Sequence, residues 1–275
     1  MLATGAVAVT LQDNADQPVL EPAPGETPLW NRTRLTGLYM ADTDMDAVLA
    51  AFGADMLDNT APRVEILEDK DWEREWMRHY QPMRFGERLW ICPSWLQPPQ
   101  PDAVNLLLDP GLAFGTGTHP TTALCLTELD GMDLAGRRVV DYGCGSGILA
   151  LAALKLGGER VLCVDNDPQA LTASRDNAQR NGVDASAMDV ILPGDALEQH
   201  WRGSADLVVA NILAGPLAQL SGKLLGLLRP GGTLLLSGLL DSQAAQLCEH
   251  YRAQLALRVA GEKEGWVCLR GALRP

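Results

Sequence analysis

No stretch of this 275-residue chain approaches the roughly 20 consecutive apolar residues that a bilayer-spanning helix needs. The opening residues, Met1-Leu-Ala-Thr-Gly-Ala6, lack the basic region of a secretory signal, so a cytoplasmic protein is expected. Positive charge is scarce. Lys and Arg total 22 against 35 Asp and Glu, and a net charge of −13 argues against stable binding of DNA or RNA by this chain alone. The six cysteines never form a Cys-x-x-Cys pair, and most sit in apolar segments, which points to buried thiols rather than disulfides or zinc. His119 has no second histidine, cysteine or carboxylate at ligand spacing, so it reads as a helix-start residue and no metal is expected. Internal repeats and low-complexity tracts are missing too. What remains is an ordinary globular composition, 47% hydrophobic, long enough for one large or two modest domains.

The organising stretch is Val139-Val-Asp-Tyr-Gly-Cys-Gly-Ser-Gly147, followed by the apolar run Ile148–Lys155. A buried strand, a glycine-rich turn and a buried helix open a doubly wound α/β domain, with the ligand at the strand's carboxyl end. Glycines suit that turn because a backbone without side chains lets a ligand lie close. A dinucleotide fingerprint would place its third glycine where this chain has Ile148, whereas Gly147 comes one residue early. Taken alone, the nonapeptide leaves S-adenosylmethionine and NAD both open.

Residues 1–67 read as a small α+β unit. Strands are predicted at 6–11, 34–40 and 62–67. Between the last two, Thr43-x-x-Asp46 resembles a capping box, and Met45, Val48, Leu49, Phe52 and Met56 form one helical face. Residues 68–101 hold four tryptophans (72, 76, 90 and 95) and five prolines, a composition that reads as a packed linker. The regular α/β part is then 102–275. A strand near 106 leads through Gly111-Leu-Ala-Phe-Gly-Thr-Gly-Thr-His-Pro120 to a helix starting at Pro120. The glycines and hydroxyls around Phe114 look like a wall for a ligand, and the missing Gly-Lys-Ser/Thr excludes a phosphate loop. Asp165 ends the second strand 22 residues after Gly143, where a carboxylate can accept hydrogen bonds from ribose hydroxyls. Strand 188–192 runs into Gly194-Asp195-Ala196, and strand 206–211 ends in Asn211. A fifth strand follows Pro230-Gly-Gly232, and the tail supplies a helix at 242–252 and strands at 255–259 and 265–270.

The glycine turn, Asp165, Asp195 and a polar residue at the tip of the fourth strand follow the order of class I AdoMet-dependent methyltransferases. Leu108–Thr122, Asp141–Leu149 and Asn211-Ile-Leu-Ala-Gly-Pro-Leu217 together resemble the PrmA family, which methylates amines of the ribosomal large-subunit protein L11. The likeness runs from about 72 to 240. It implies a Rossmann-like domain with a mostly parallel seven-stranded sheet, preceded by a ferredoxin-like substrate-recognition domain that looks truncated at its N terminus. Carried onto matching positions, it implies S-adenosylmethionine contacts at Thr122, Gly143, Gly145, Asp165 and Asn211, with Phe114 and Asp195 nearby. Asn211 would orient the substrate amine. L11 would be met free, before ribosome assembly, and no membrane partner is implied. A glutamine-amide or RNA-base methyltransferase is an alternative. Such enzymes resemble one another in Asn-Pro-Pro-Tyr, where this chain has Asn211-Ile-Leu-Ala214, without the aromatic that stacks on a planar substrate. A non-catalytic AdoMet-binding module is the other.

Overall fold

The computed structural model describes residues 1–15, 26–56, 62–68, 80–109 and 117–274. Two compact units divide at Trp72 and Glu73.

In the first unit, β1 (Ala8–Asp13) and β2 (Thr33–Leu38) pair antiparallel, Ala8 opposite Leu38 and Asp13 opposite Thr33. Helix α1 (Met45–Met56) follows. Its cap is Asp44 rather than Thr43. The Asp44 carboxylate accepts from the Asp46 and Ala47 amides, each at 3.1 Å, and a charged acceptor serves a helix start at least as well as a threonine hydroxyl. Val48 is buried, with Met45, Leu49 and Phe52 half-buried beside it, so this part of the expected helical stripe faces inward; the side chain of Met56 lies outside the described residues. The strand expected at 62–67 does not form. Those residues are exposed and unpaired in any ladder, Ile66 most of all, because alternation of apolar residues makes a strand only where an edge is offered to it.

The second unit begins, among the described residues, with a three-stranded sheet: β3 (Met83–Phe85), β4 (Leu89–Cys92) and β5 (Val104–Leu107). Two short parts of the stretch read as a linker, 83–85 and 89–92, are therefore strand. Asp130 accepts from the Glu87 and Arg88 amides at 2.7 and 3.2 Å and so fixes the β3–β4 turn. Part of the outer edge of β5 is covered by one side chain. Asn181 accepts from the Leu107 amide at 2.8 Å and donates to its carbonyl at 2.7 Å.

The main sheet has seven strands: β6 (Arg138–Tyr142), β7 (Arg160–Val164), β8 (Met188–Ile191), β9 (Ala205–Asn211), β10 (Leu228–Leu240), β11 (Arg258–Lys263) and β12 (Trp266–Ala272). Their order is β11-β12-β10-β9-β6-β7-β8, parallel throughout except at β12. The penultimate strand starts three residues later than expected because Leu255 makes an isolated bridge with Leu273 instead. Helices α2 (Pro120–Asp130), α3 (Ile148–Lys155), α4 (Pro168–Arg180), α5 (Ala196–Gln199), α6 (Ala214–Gln219), α7 (Ser221–Leu227) and α8 (Asp241–Tyr251) complete the unit.

Successive strand residues point to opposite faces, and both faces are covered. Val139, Val161, Cys163, Leu207 and Val209 join one core with Leu126 and Leu129 of α2 and Ile148 to Ala153 of α3. Val140, Leu162, Val164, Val208 and Ala210 join the other with Leu217, Leu224 and Leu247 of α6, α7 and α8. Each such buried aliphatic side chain is worth about 1.5–3 kcal/mol. All six cysteines are free thiols, and five of them are buried.

Candidate active site

The chain winds from β6 through β7 to β8 on one side, then returns to place β9 and β10 on the other. The reversal opens a crevice between the carboxyl ends of β6 and β9, the place where open α/β sheets bind ligands. The turn after β6, the residue ending β9 and the residue following β7 all lie along this margin.

The glycine turn is held by its own bonds. The amides of Gly143 and Cys144 both reach the Val164 carbonyl, at 2.7 and 3.2 Å, and Gly147 closes back on Cys144 at 2.8 Å. Ser174 donates to the Gly145 carbonyl at 2.9 Å, and Asn177 donates to the Ser146 carbonyl at 2.9 Å, so α4 secures the outer side. Gly143, Gly145 and Gly147 all have positive φ, at 81°, 54° and 77°. Two of them serve the protein's own packing as well as any ligand. A Cβ on Gly143 would overlap Ile212 Cγ2, and one on Gly147 would meet Ser174 Oγ at 2.9 Å.

Asp165 is half-buried. Its Oδ2 accepts from Gly145 at 2.9 Å and its Oδ1 from Asp167 at 3.0 Å. Each carboxylate oxygen carries a second lone pair, so the side chain can fix the turn and still receive hydroxyl donors.

Asn211 lies on the same face of β9 as Leu207 and Val209, toward α2. Its Nδ2 donates to Thr122 Oγ1 at 3.2 Å, and Thr122 is almost fully buried. Asn211 Oδ1 is buried and has no hydrogen-bond partner. An orphaned acceptor of this kind costs about 1–3 kcal/mol, so something with an N–H or O–H is wanted at that point. The next residue is gripped from two sides. Besides Gly143 against its side chain, Gly238 at φ 88° lies so close that a Cβ would overlap the Ile212 carbonyl and sit 2.7 and 2.9 Å from its backbone C and N.

The structure thus brings Gly143, Gly145, Asp165, Asn211 and Thr122 to one margin. Asp195 lies beyond β8, two strands from β6. It is exposed and caps α5 by accepting from Leu197 at 2.8 Å. Phe114 falls outside the described residues. His119 caps α2, its Nδ1 2.7 Å from Thr121 Oγ1, with the Trp266 ring edge-on at 5.1 Å. Burial lowers its pKa, and Glu264 opposes this only in part. Among the described residues no group of three His, Cys, Asp or Glu could hold a metal ion.

Sequence reasoning missed Gly238, its grip on Ile212, and the burial of Asp141. Gly238 and Ile212 interlock at a separation that leaves no local pattern. Asp141, fully buried in β6, stands in the glycine motif with nothing in its spacing to mark it out. Its Oδ2 accepts from Ala150 at 3.0 Å while Oδ1 has no partner. Burial lifts its pKa to about 7, with the Ala150 amide opposing and the nearby Asp165 charge adding to the rise.

The family model described as "Ribosomal protein L11 methyltransferase (PrmA)" matches residues 1–274. The chain belongs to the PrmA family. Among PrmA relatives it is 58% identical over 271 residues to the ribosomal protein L11 methyltransferase of Tolumonas auensis, covering 98% of this chain and 91% of that one. To the namesake from Pseudomonas aeruginosa PAO1 it is 56% identical over 278 residues, covering 100% and 92%. A crystal structure of ribosomal protein L11 methylase from Lactobacillus delbrueckii subsp. bulgaricus superposes with a TM-score of 0.62 at 33% identity. That match spans 71% of this chain and all of the other. The PrmA fold expected from the sequence, a mostly parallel seven-stranded α/β sheet, is the one found.

Proposed function

We propose that the crevice between β6 and β9 is where this S-adenosylmethionine-dependent methyltransferase passes methyl groups to lysine side-chain and N-terminal amines of ribosomal protein L11. The observation that carries this reading is the buried, unpartnered Asn211 Oδ1 at the carboxyl end of β9, on an amide that Thr122 holds.

The residues present fit the cofactor. The Gly143–Gly147 turn offers a close backbone approach, Asp165 retains acceptor capacity for ribose hydroxyls, and Asp195 stands at the end of the neighbouring strand for the base. S-Adenosylmethionine, when bound, supplies a methyl already activated by its sulfonium, so the protein's task is to present a neutral amine in line. Protonation is the obstacle. Neutralising a lysine near pH 7.4 costs about 4 kcal/mol, against well under 1 kcal/mol for an α-amine. A dry pocket lowers an amine's pKa by disfavouring its charged form. Asn211 Oδ1 then accepts one amine hydrogen and sets the direction of the lone pair, and Thr122 keeps the amide from turning. No general base is assigned.

L11 is taken as the free protein in the cytoplasm, before ribosome assembly. The acidic balance of the chain supports this, because it offers no excess of positive charge for ribosomal RNA. Among the described residues no helix is long and apolar enough to cross a membrane. The test is transfer of labelled methyl groups to purified L11, followed by peptide mapping. Label on lysine and N-terminal amines is expected. Label confined to glutamine, or appearing instead on ribosomal RNA, would overturn the amine assignment.

A further inference from the structure

Segments that follow β8 and β9 converge with the end of β6 around one buried carboxylate. Glu198 in α5 is 3% exposed. Its Oε2 accepts from the Gly194 amide at 2.8 Å, in the turn that carries Asp195. Its Oε1 lies 3.0 Å from Lys223 Nζ of α7, paired by charge without an aligned hydrogen bond. Lys223 Nζ lies in turn 5.5 Å from the centre of the Tyr142 ring, and Tyr142 is the buried residue immediately before Gly143. Burial works against the lysine's charge. The Tyr142 hydroxyl and Glu198 outweigh it and hold the pKa above the ordinary lysine value, so the cation persists across neutral pH. A buried carboxylate is costly to keep and often no more stabilising than an apolar pair, so its placement calls for a use besides packing.

We infer that Glu198, Lys223 and Tyr142 are positioning residues for the nucleoside end of the cofactor, setting the gap between the Gly143 turn and the Gly194–Asp195 turn. This rests on the crevice being the S-adenosylmethionine site. Glu198 holds the Gly194 amide and thereby the entry to α5. Lys223 ties that anchor to β6, and none of the three touches the reacting amine.

The test is binding and kinetics on the full chain. Glu198→Ala is expected to weaken S-adenosylmethionine, S-adenosylhomocysteine and adenosine by the same factor, about tenfold. KM for S-adenosylmethionine should rise with kcat unchanged at saturation. Lys223→Met should do the same to a smaller degree, and the double variant should add little to Glu198→Ala. Glu198→Gln, which keeps an acceptor for Gly194 but loses the charge, should fall between wild type and Glu198→Ala; it also serves if the alanine variant does not fold. Unchanged affinity for all three ligands in the glutamine and methionine variants, with only a lower Tm, would overturn the inference. Asp165→Ala separates the two levels. If it weakens S-adenosylmethionine while the Glu198 and Lys223 variants do not, the inference fails and the crevice reading stands. If it too leaves affinity unchanged, both fail.

Discussion

The turn after β6 and the tip of β9 face each other across the crevice, yet they are built on opposite plans. The first spends its backbone groups internally: amides on Val164 and Asp165, carbonyls on Ser174 and Asn177. It is finished before any ligand arrives, as a preorganised binding surface should be. The second is fixed by shape. Gly143 and Gly238 grip Ile212 where no side chain could stand, while Asn211 keeps one buried acceptor without a partner. One side holds by satisfied bonds. The other leaves one acceptor open, which under the proposed function receives the substrate amine.

The largest effect expected is on the unsatisfied side. Asn211→Ala should lower kcat by about 100-fold, the cost of a misplaced reacting group, with a much smaller loss of cofactor affinity in a titration. A loss of affinity equal to the loss of rate would erase the distinction between the two sides. On the satisfied side, Asp165→Ala removes an acceptor for two amides and for the ribose, and Kd for S-adenosylmethionine should rise about 10- to 100-fold. Gly238→Ala sharpens the contrast, because its added methyl meets the Ile212 backbone. It should lower kcat about tenfold and cost roughly 1–3 kcal/mol of stability, measured by denaturant titration, while Asp165 and the glycine turn keep their cofactor affinity.

The smallest effect concerns Asp141, behind the satisfied turn. Its native pKa of about 7 lies above the unfolded value of 3.8, so the native state binds more protons between roughly pH 4 and 7. The stability this carboxyl contributes is full below pH 4 and lost as pH rises to 7. Asp141→Asn should therefore raise the ligand-free Tm by roughly 5 °C at pH 8 and leave it unchanged at pH 4. Equal shifts at both pH values would mean that ionisation of Asp141 is not the source.

What could be read from the sequence follows from where its constraints are local. Val139 to Gly147, Asp165 and Asn211 each mark the end of a buried parallel strand, and such runs are conspicuous because both faces are apolar. The segments that misled are those whose state depends on a distant partner. Val64 and Ile66 alternate like a strand but find no edge, whereas Met83–Phe85 and Leu89–Cys92 are too short to announce themselves and owe their pairing to β5 and Asp130. Within the site, Thr122 was named only through the likeness to a family, and its bond to Asn211 had no signal in the sequence. The Gly238–Ile212 contact had no signal, because a glycine after a strand reads equally well as an ordinary turn. Glu198 was hidden for a different reason. A glutamate in a one-turn helix looks like a surface residue until its burial is seen.

Asn181 has a consequence outside catalysis. By taking both backbone groups of Leu107, a single amide occupies part of the sheet margin where a strand from a second molecule could otherwise dock. A strand arriving there would first have to displace both of the bonds that Asn181 makes to Leu107.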